Sequence, residues 1–279
     1  MDNKKNTDSE LKKRNEKVLK FFVKTPDKPN FTIYYIFIAV FLVLFISGFA
    51  QPRGAGVLQG ALGLIGLLIS LSKLYGRNRD YQKAYALAEP KAMDNEMDHW
   101  LAEGIAEVIE EARRRLDIDP TDDKAEPRMI DGPDDSSYIG PGTDKILRFN
   151  RHNILLIFLT RHNVATFKCI LDLGWGEILQ DKTKEFPYRD ITNLETETSS
   201  KTFFYRNEKK MAIRGIQQFS LHTSGGNNIS VNYIYSKKSD GNFDFEFPSS
   251  NADDTIKAIR KQLKEYTDKF NRKEGKAEE

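Results

Sequence analysis

Asn153–Leu173 reads NILLIFLTRHNVATFKCILDL. Two apolar runs of strand length meet at Arg161-His162-Asn163, three residues with turn chemistry. The second run alternates apolar and polar side chains, so the pair predicts two neighbouring β-strands. The pattern continues on both sides. KILRF (145–149) comes before, separated by Asn150-Arg151-His152. KEFPYRDITNLETE (184–197), KTFFYR (201–206), MAIRGI (211–216), QQFSLHT (217–223) and NISVNYI (228–234) come after. Pro187 places the first of these at a sheet edge or a strand start. Ser224-Gly225-Gly226-Asn227 joins the last two as a hairpin. FDFEF (243–247) closes the β region with strict alternation.

A helix follows. Ser249, Ser250 or Asn251 can cap it, and Asp253 and Asp254 lie in its first turn. Ile256, Ile259, Leu263, Tyr266 and Phe270 form one apolar stripe, which predicts packing against the sheets. The β domain is therefore expected over 143–272. Residues 118–142 hold prolines, glycines and an excess of acids, and read as a linker. Over 93–116, Met97, Trp100, Leu101, Ile105, Val108, Ile109, Ala112 and Leu116 recur at helical spacing. That segment is expected to be the main part of a helical stalk, 76–117. It contains Glu96-x-x-His99, a spacing used in di-iron bundles. Such sites need a second copy, and the chain has none, so no metal is expected.

The N-terminal part is different. Phe31–Ala50 (FTIYYIFIAVFLVLFISGFA) and Gly56–Ser72 (GVLQGALGLIGLLISLS) carry no charge. About 20 apolar residues cross a bilayer core as a helix, so 31–75 predicts a transmembrane helical hairpin. Nine Lys and Arg precede it, Arg53 alone lies in the turn, and Lys73, Arg77, Arg79 and Lys83 follow. This bias predicts an inner-membrane protein with two spans and both termini cytoplasmic. Residues 1–30 form a basic arm, read as a solvated tail that fixes topology, with an interfacial amphipathic segment as the alternative. Gly56, Gly60, Gly63 and Gly66 give the second span a small-residue stripe. It receives either the first span or a second copy of the chain.

The net charge of +2 gives no nucleic-acid signature, and no nucleic-acid partner is expected. Cys169 is the single cysteine, so no internal disulfide can form; it reads as a small buried hydrophobe. No GxSxG, phosphate loop or HExxH occurs. Asp172, Asp190 and His222 could converge, but any globular domain offers such trios. The expectation is no enzyme and no cofactor.

Seven or eight short strands closed by one amphipathic helix resemble the plan of a bacterial pleckstrin-homology-like domain. ILLIFLTRHNVATFK (154–168) resembles its paired strands, and FPYRDITNLET (186–196) its Asp-Ile-x-x-Leu strand. The Gly225-Gly226 hairpin and the closing helix with AIRKQL (258–263) fit as well. The resemblance implies an α+β protein in which a β-barrel or sandwich is closed by a C-terminal helix. It also implies a binding platform for protein or lipid headgroups. Arg148 and Arg151 flanking one turn, and a separate cluster of Arg206, Lys209, Lys210 and Arg214, are the candidate contacts. Two functions are open. One is a membrane-anchored scaffold or sensor presenting this module to an unknown protein partner. The other is an oligomeric effector whose hairpins form a pore or remodel the bilayer under control of the β domain.

Overall fold

The computed structural model describes residues 2–49, 54–119, 126–161, 163–203, 211–234, 245–248 and 250–274. The chain divides into two compact units, Met1–Phe22 with Lys91–Glu279, and Val23–Pro90. It mixes helices with antiparallel sheets.

In the larger unit, β1 (Arg128–Pro133), β4 (Arg151–Leu159), β5 (Asn163–Asp172) and β6 (Glu177–Pro187) form one sheet in that spatial order. β7 (Ile191–Phe203), β8 (Met211–Thr223) and β9 (Asn228–Ile234) form a second. β2 (Ile139–Pro141) and β3 (Leu147–Phe149) make a small third. α4 (Asp94–Leu116) and α5 (Ala252–Glu274) pack on these sheets.

The run ILLIFL is continuous because β4 is covered on both faces. Ile154, Leu156 and Phe158 meet Val108 and Ala112 of α4. Leu155 and Ile157 face the other way, toward Phe219, Val231 and Tyr233 of the second sheet and Ile256 and Ile259 of α5. Ile256, Ile259, Leu263 and Tyr266 of the stripe predicted for the terminal helix thus pack, while the Phe270 side chain lies outside the described residues. Thr255 adds a hydrogen bond from its Oγ1 to the Met129 carbonyl, 3.2 Å.

Several expectations are corrected. The strands lie in three separate sheets rather than a closed barrel. Between β6 and β7 the chain leaves the ladder at Pro187, which has no N–H to donate, and passes through a 3-10 turn, Tyr188–Asp190. MAIRGI and QQFSLHT are one strand, β8. FDFEF contributes only an isolated bridge, Ile146 to Glu246, among its described residues.

The linker assigned to 118–142 contains β1 and β2. Ile130 is fully buried, so the β domain begins upstream of 143. Pro133 is tolerated because β1 is an edge strand and ends there. Averaged composition concealed a six-residue strand that follows Pro127 and ends on Pro133.

The helical stalk of 76–117 is broken around Pro90 and does not stand as a separate unit. Residues 76–88 belong to the helix before it, and α4 lies on β4 and β5. α4 forms where predicted: the Glu96 carboxylate accepts the Met93 N–H at 2.8 Å, and Asp117 ends the helix in a left-handed conformation. The arm of 1–30 is largely a helix, α1 (Asp2–Phe21). Val18, Phe21 and Phe22 are buried with Ala92, Met97 and Leu173, so its apolar end packs on protein rather than remaining solvated.

In the smaller unit, α2 (Thr32–Gly48) and α3 (Ala55–Ala88) pack together. A β-carbon on Gly63 would fall 2.5 Å from the Phe45 nitrogen, and one on Gly48 would fall 2.6 Å from the Gly60 nitrogen. Gly66 receives the Phe41 ring. The small residues therefore let α2 approach, and Gln59 donates from Nε2 to Ser47 Oγ at 2.7 Å. Among the described residues one helix, Gly56–Ala88, is long and apolar enough to cross a membrane; α2 is shorter.

Candidate functional site

Arg148 and Arg151 leave neighbouring strands, yet they do not form an open basic surface. Arg148 is 7 % exposed. Its Nε and Nη2 donate to the two carboxylate oxygens of Asp98 at 2.8 Å. Its Nη1 and Nη2 donate to those of Asp144 at 2.8 and 2.7 Å. Asp94, at the start of α4, accepts from the Thr143 N–H and hydroxyl and from the Asp144 N–H. The cluster fastens α4 to the β2–β3 hairpin. Two bidentate partners leave Arg148 little capacity for a ligand.

The same pairing shows in the acid. Bonding to the Arg148 guanidinium, aided by the Ile146 N–H, holds the Asp144 carboxyl down at about 2, from 3.8. A depressed carboxyl stabilises the fold above its unfolded value, and the contribution is lost as pH falls from about 4 to about 2. Asp144→Asn is expected to flatten that part of an acid-unfolding curve followed by tryptophan fluorescence.

Arg151 donates from Nε to Asp172 at 3.0 Å and from Nη1 to Ser136 Oγ at 3.1 Å. The other Asp172 oxygen accepts the N–H groups of Gly174 and Trp175, which shapes the β5–β6 turn. His152 Nδ1 lies 3.0 Å from Asp131. His222 Nε2 lies 3.1 Å from Glu195 on β7. Asp172 and His222 therefore belong to different pairs. Arg206, Lys209 and Lys210 lie outside the described residues. Arg214 sits on β8 opposite Ser200.

Glu96 is bonded by Lys17 at 2.8 Å, and His99 lies 3.1 Å from Glu103. Among the described residues no group of three metal-ligating side chains comes together. Cys169 is buried behind α4, and burial pushes its thiol up to about 12. A thiolate is the reactive form, so native protein at pH 8 is expected to resist iodoacetamide, with rapid labelling only after unfolding in urea.

A different set of cations does assemble. Lys168 on β5 is the cross-strand partner of Lys182 on β6. Lys184 lies two residues along the same face. Lys168 Nζ donates to the Ser230 carbonyl and Lys184 Nζ to the Asn228 carbonyl, both at 2.6 Å, on the unpaired edge of β9. Burial, with Lys182 opposite, pushes the Lys168 ammonium below its ordinary value; burial and Lys182 act on Lys184 in the same direction. Two acids of β6 point the other way, Asp181 to Arg115 at 2.8 Å and Glu185 to the Asn163 amide at 2.7 Å. Sequence reading passed over these lysines, although alternation in DKTKEF and TFKC places them on one face.

A second feature is a cleft of about 390 Å³ beside α1, lined by Glu10, Leu11, Lys13, Arg14, Lys17 and Trp100. Arg14 lies over the Trp100 ring at 5.0 Å and donates from Nε to the Leu173 carbonyl at 2.9 Å. That arginine is already committed to docking α1.

Comparison with protein-family models, with curated proteins and with solved structures gave no significant match. The chemistry of the site therefore rests on this chain's own residues.

Proposed function

We propose that this chain is a membrane-anchored, non-catalytic scaffold or sensor that presents a pleckstrin-homology-like module to a protein partner on the cytoplasmic side. The observation that carries the reading is the outward face of the apolar helices. Val57, Leu58, Leu62, Ile65, Leu68 and Ile69 of α3 are all more than half exposed, as are Ile33, Ile36, Val43 and Ile46 of α2. So large an apolar surface is costly in water and favourable in lipid. The seventeen residues of α2 can serve as a second span if flanking residues complete its length. Both termini then lie on the cytoplasmic side.

The module reading draws on strand order. The reading is supported by a four-stranded antiparallel sheet, then a three-stranded one, then a helix that packs against residues of both. On this reading β2 and β3, which pair only with each other, are an insertion between the first two strands. β6 and β7 each keep one open edge, where an extended partner segment can add as a further strand. Anchoring raises the local concentration of such a site, so modest affinity suffices.

The oligomeric-effector reading loses its motif. The small-residue stripe around Gly60, Gly63 and Gly66 is filled by Phe45 and Phe41 of the same chain.

Alkaline carbonate extraction and protease protection on intact cells test the anchor. The full chain is expected to stay in the membrane pellet with its β body shielded from external protease. Release into the supernatant, or trimming of the C-terminal half, overturns the anchor or its orientation. Crosslinking from β7 in the full chain, followed by capture of one partner, tests the scaffold.

A further inference from the structure

We propose that Lys168, Lys182 and Lys184 form a binding site for a phosphate-type oxyanion at the seam between β5–β6 and the unpaired edge of β9. The site belongs to the β body alone and stands whether or not the apolar helices cross a bilayer.

Like charges directly opposite each other on a sheet are unfavourable. Lys168 and Lys182 hold that arrangement, and Lys184 adds a third ammonium on the same face. Among the described residues, no ion pair joins any of the three to an acid. The carboxylates of Asp181 and Glu185, the β6 acids nearest these lysines, are directed to the far face, where Arg115 and Asn163 take them. Asp134 and Asp135 come within electrostatic reach of Lys168, but they are engaged, Asp134 by the Ser136 hydroxyl and N–H and Asp135 by Lys201 at 2.6 Å. Lys201 in turn adds positive potential at Lys168.

Position is fixed as well as charge. The Ser230 and Asn228 carbonyls hold two of the ammonium groups along one strand edge. Each uses one donor there and keeps others. Lys182, exposed beside them, bonds none of the edge carbonyls. Three ammonium donors on one face, with no ion-pair partner among the described residues, suit a multiply charged tetrahedral anion, which accepts several hydrogen bonds at once. The ligand class is a phosphate monoester or diphosphate, free or as a lipid headgroup.

Full-length protein in detergent, titrated calorimetrically with pyrophosphate at constant ionic strength, tests this. Saturable binding is expected, at least tenfold weaker in Lys182→Gln and lost in Lys182→Gln with Lys184→Gln. Lys182→Arg keeps the charge and is expected to retain it. Because Lys182→Gln relieves repulsion, the ligand-free unfolding midpoint is expected not to fall, which separates lost binding from lost fold. A second arm places the chain in phosphatidylcholine nanodiscs with or without phosphatidic acid and follows reductive methylation of Lys182 by mass spectrometry. Protection by pyrophosphate alone assigns a free phosphate, and protection by phosphatidic acid alone assigns a headgroup; both support the site. No saturable effect of either probe, or binding unchanged in Lys182→Gln, overturns it. Failure here leaves the anchor intact, and carbonate extraction of the anchor leaves the calorimetry unaffected.

Discussion

Gly132→Val is expected to destabilise the β body by about 3 kcal/mol, the upper end for inserting atoms into a packed interior. Gly132 lies on β1 opposite Asn153. A β-carbon there would fall against the Asn232 carbonyl oxygen and 2.8 Å from the Tyr233 Cα. Both obstacles are backbone of β9, so no side chain can rotate away and a strand must move. The strand edge would separate from β1 beside Tyr233, which is 1 % exposed. Urea unfolding followed by Trp100 and Trp175 fluorescence would measure the shift. Gly132→Ala is expected to fall between wild type and valine. A midpoint unchanged in both would show that β1 and β9 do not approach in solution.

Arg148→Met is the second large effect. The substitution keeps most of the aliphatic volume and removes both bidentate contacts. Asp98 and Asp144 then face each other without a cation. Their side chains are 60 % and 37 % exposed, so water screens much of the penalty. The expected loss is about 2 kcal/mol, below that for a fully buried pair. In a double-mutant cycle, Arg148→Met with Asp144→Asn is expected to cost less than the sum of the two single changes. The acid-sensitive component assigned to Asp144 should disappear in Arg148→Met, since the cation is what depresses that carboxyl. Equal pH profiles for wild type and Arg148→Met would refute the pairing.

Much of the fold was legible because periodicity survives in a single chain. The 256–266 stripe of α5 pointed to the sheets it covers, whereas the 97–116 stripe of α4 showed a helix without showing that β4 and β5 lie beneath it. The unbroken ILLIFL announced a strand, and the fold shows it buried on two sides. β1 was not legible. Its six residues follow one proline and end on another, carry one fully buried apolar side chain, Ile130, and the acid-rich flanks dominate any window average. The arm was misread for a related reason: Val18, Phe21 and Phe22 are few among many lysines, and only the fold supplies Met97 and Leu173 to meet them. The candidate site fared similarly. Arginines near turns look available in sequence, whereas Arg148 is consumed by Asp98, fifty residues upstream. The lysines at 168, 182 and 184 are distant in sequence from β9, and what marks them is the carbonyls of Ser230 and Asn228.

The docking of α1 bears on how the protein can be handled. Lys17 offers its carbonyl to the Ala92 N–H at 3.1 Å, and Arg14 caps Trp100. A shortened chain that starts after residue 22 would uncover Met97, Leu173 and Trp100 together. Such a fragment is prone to self-association through that new greasy floor. Clumping by a trimmed version would then report the missing lid, and it would be unsafe to take it as a native assembly.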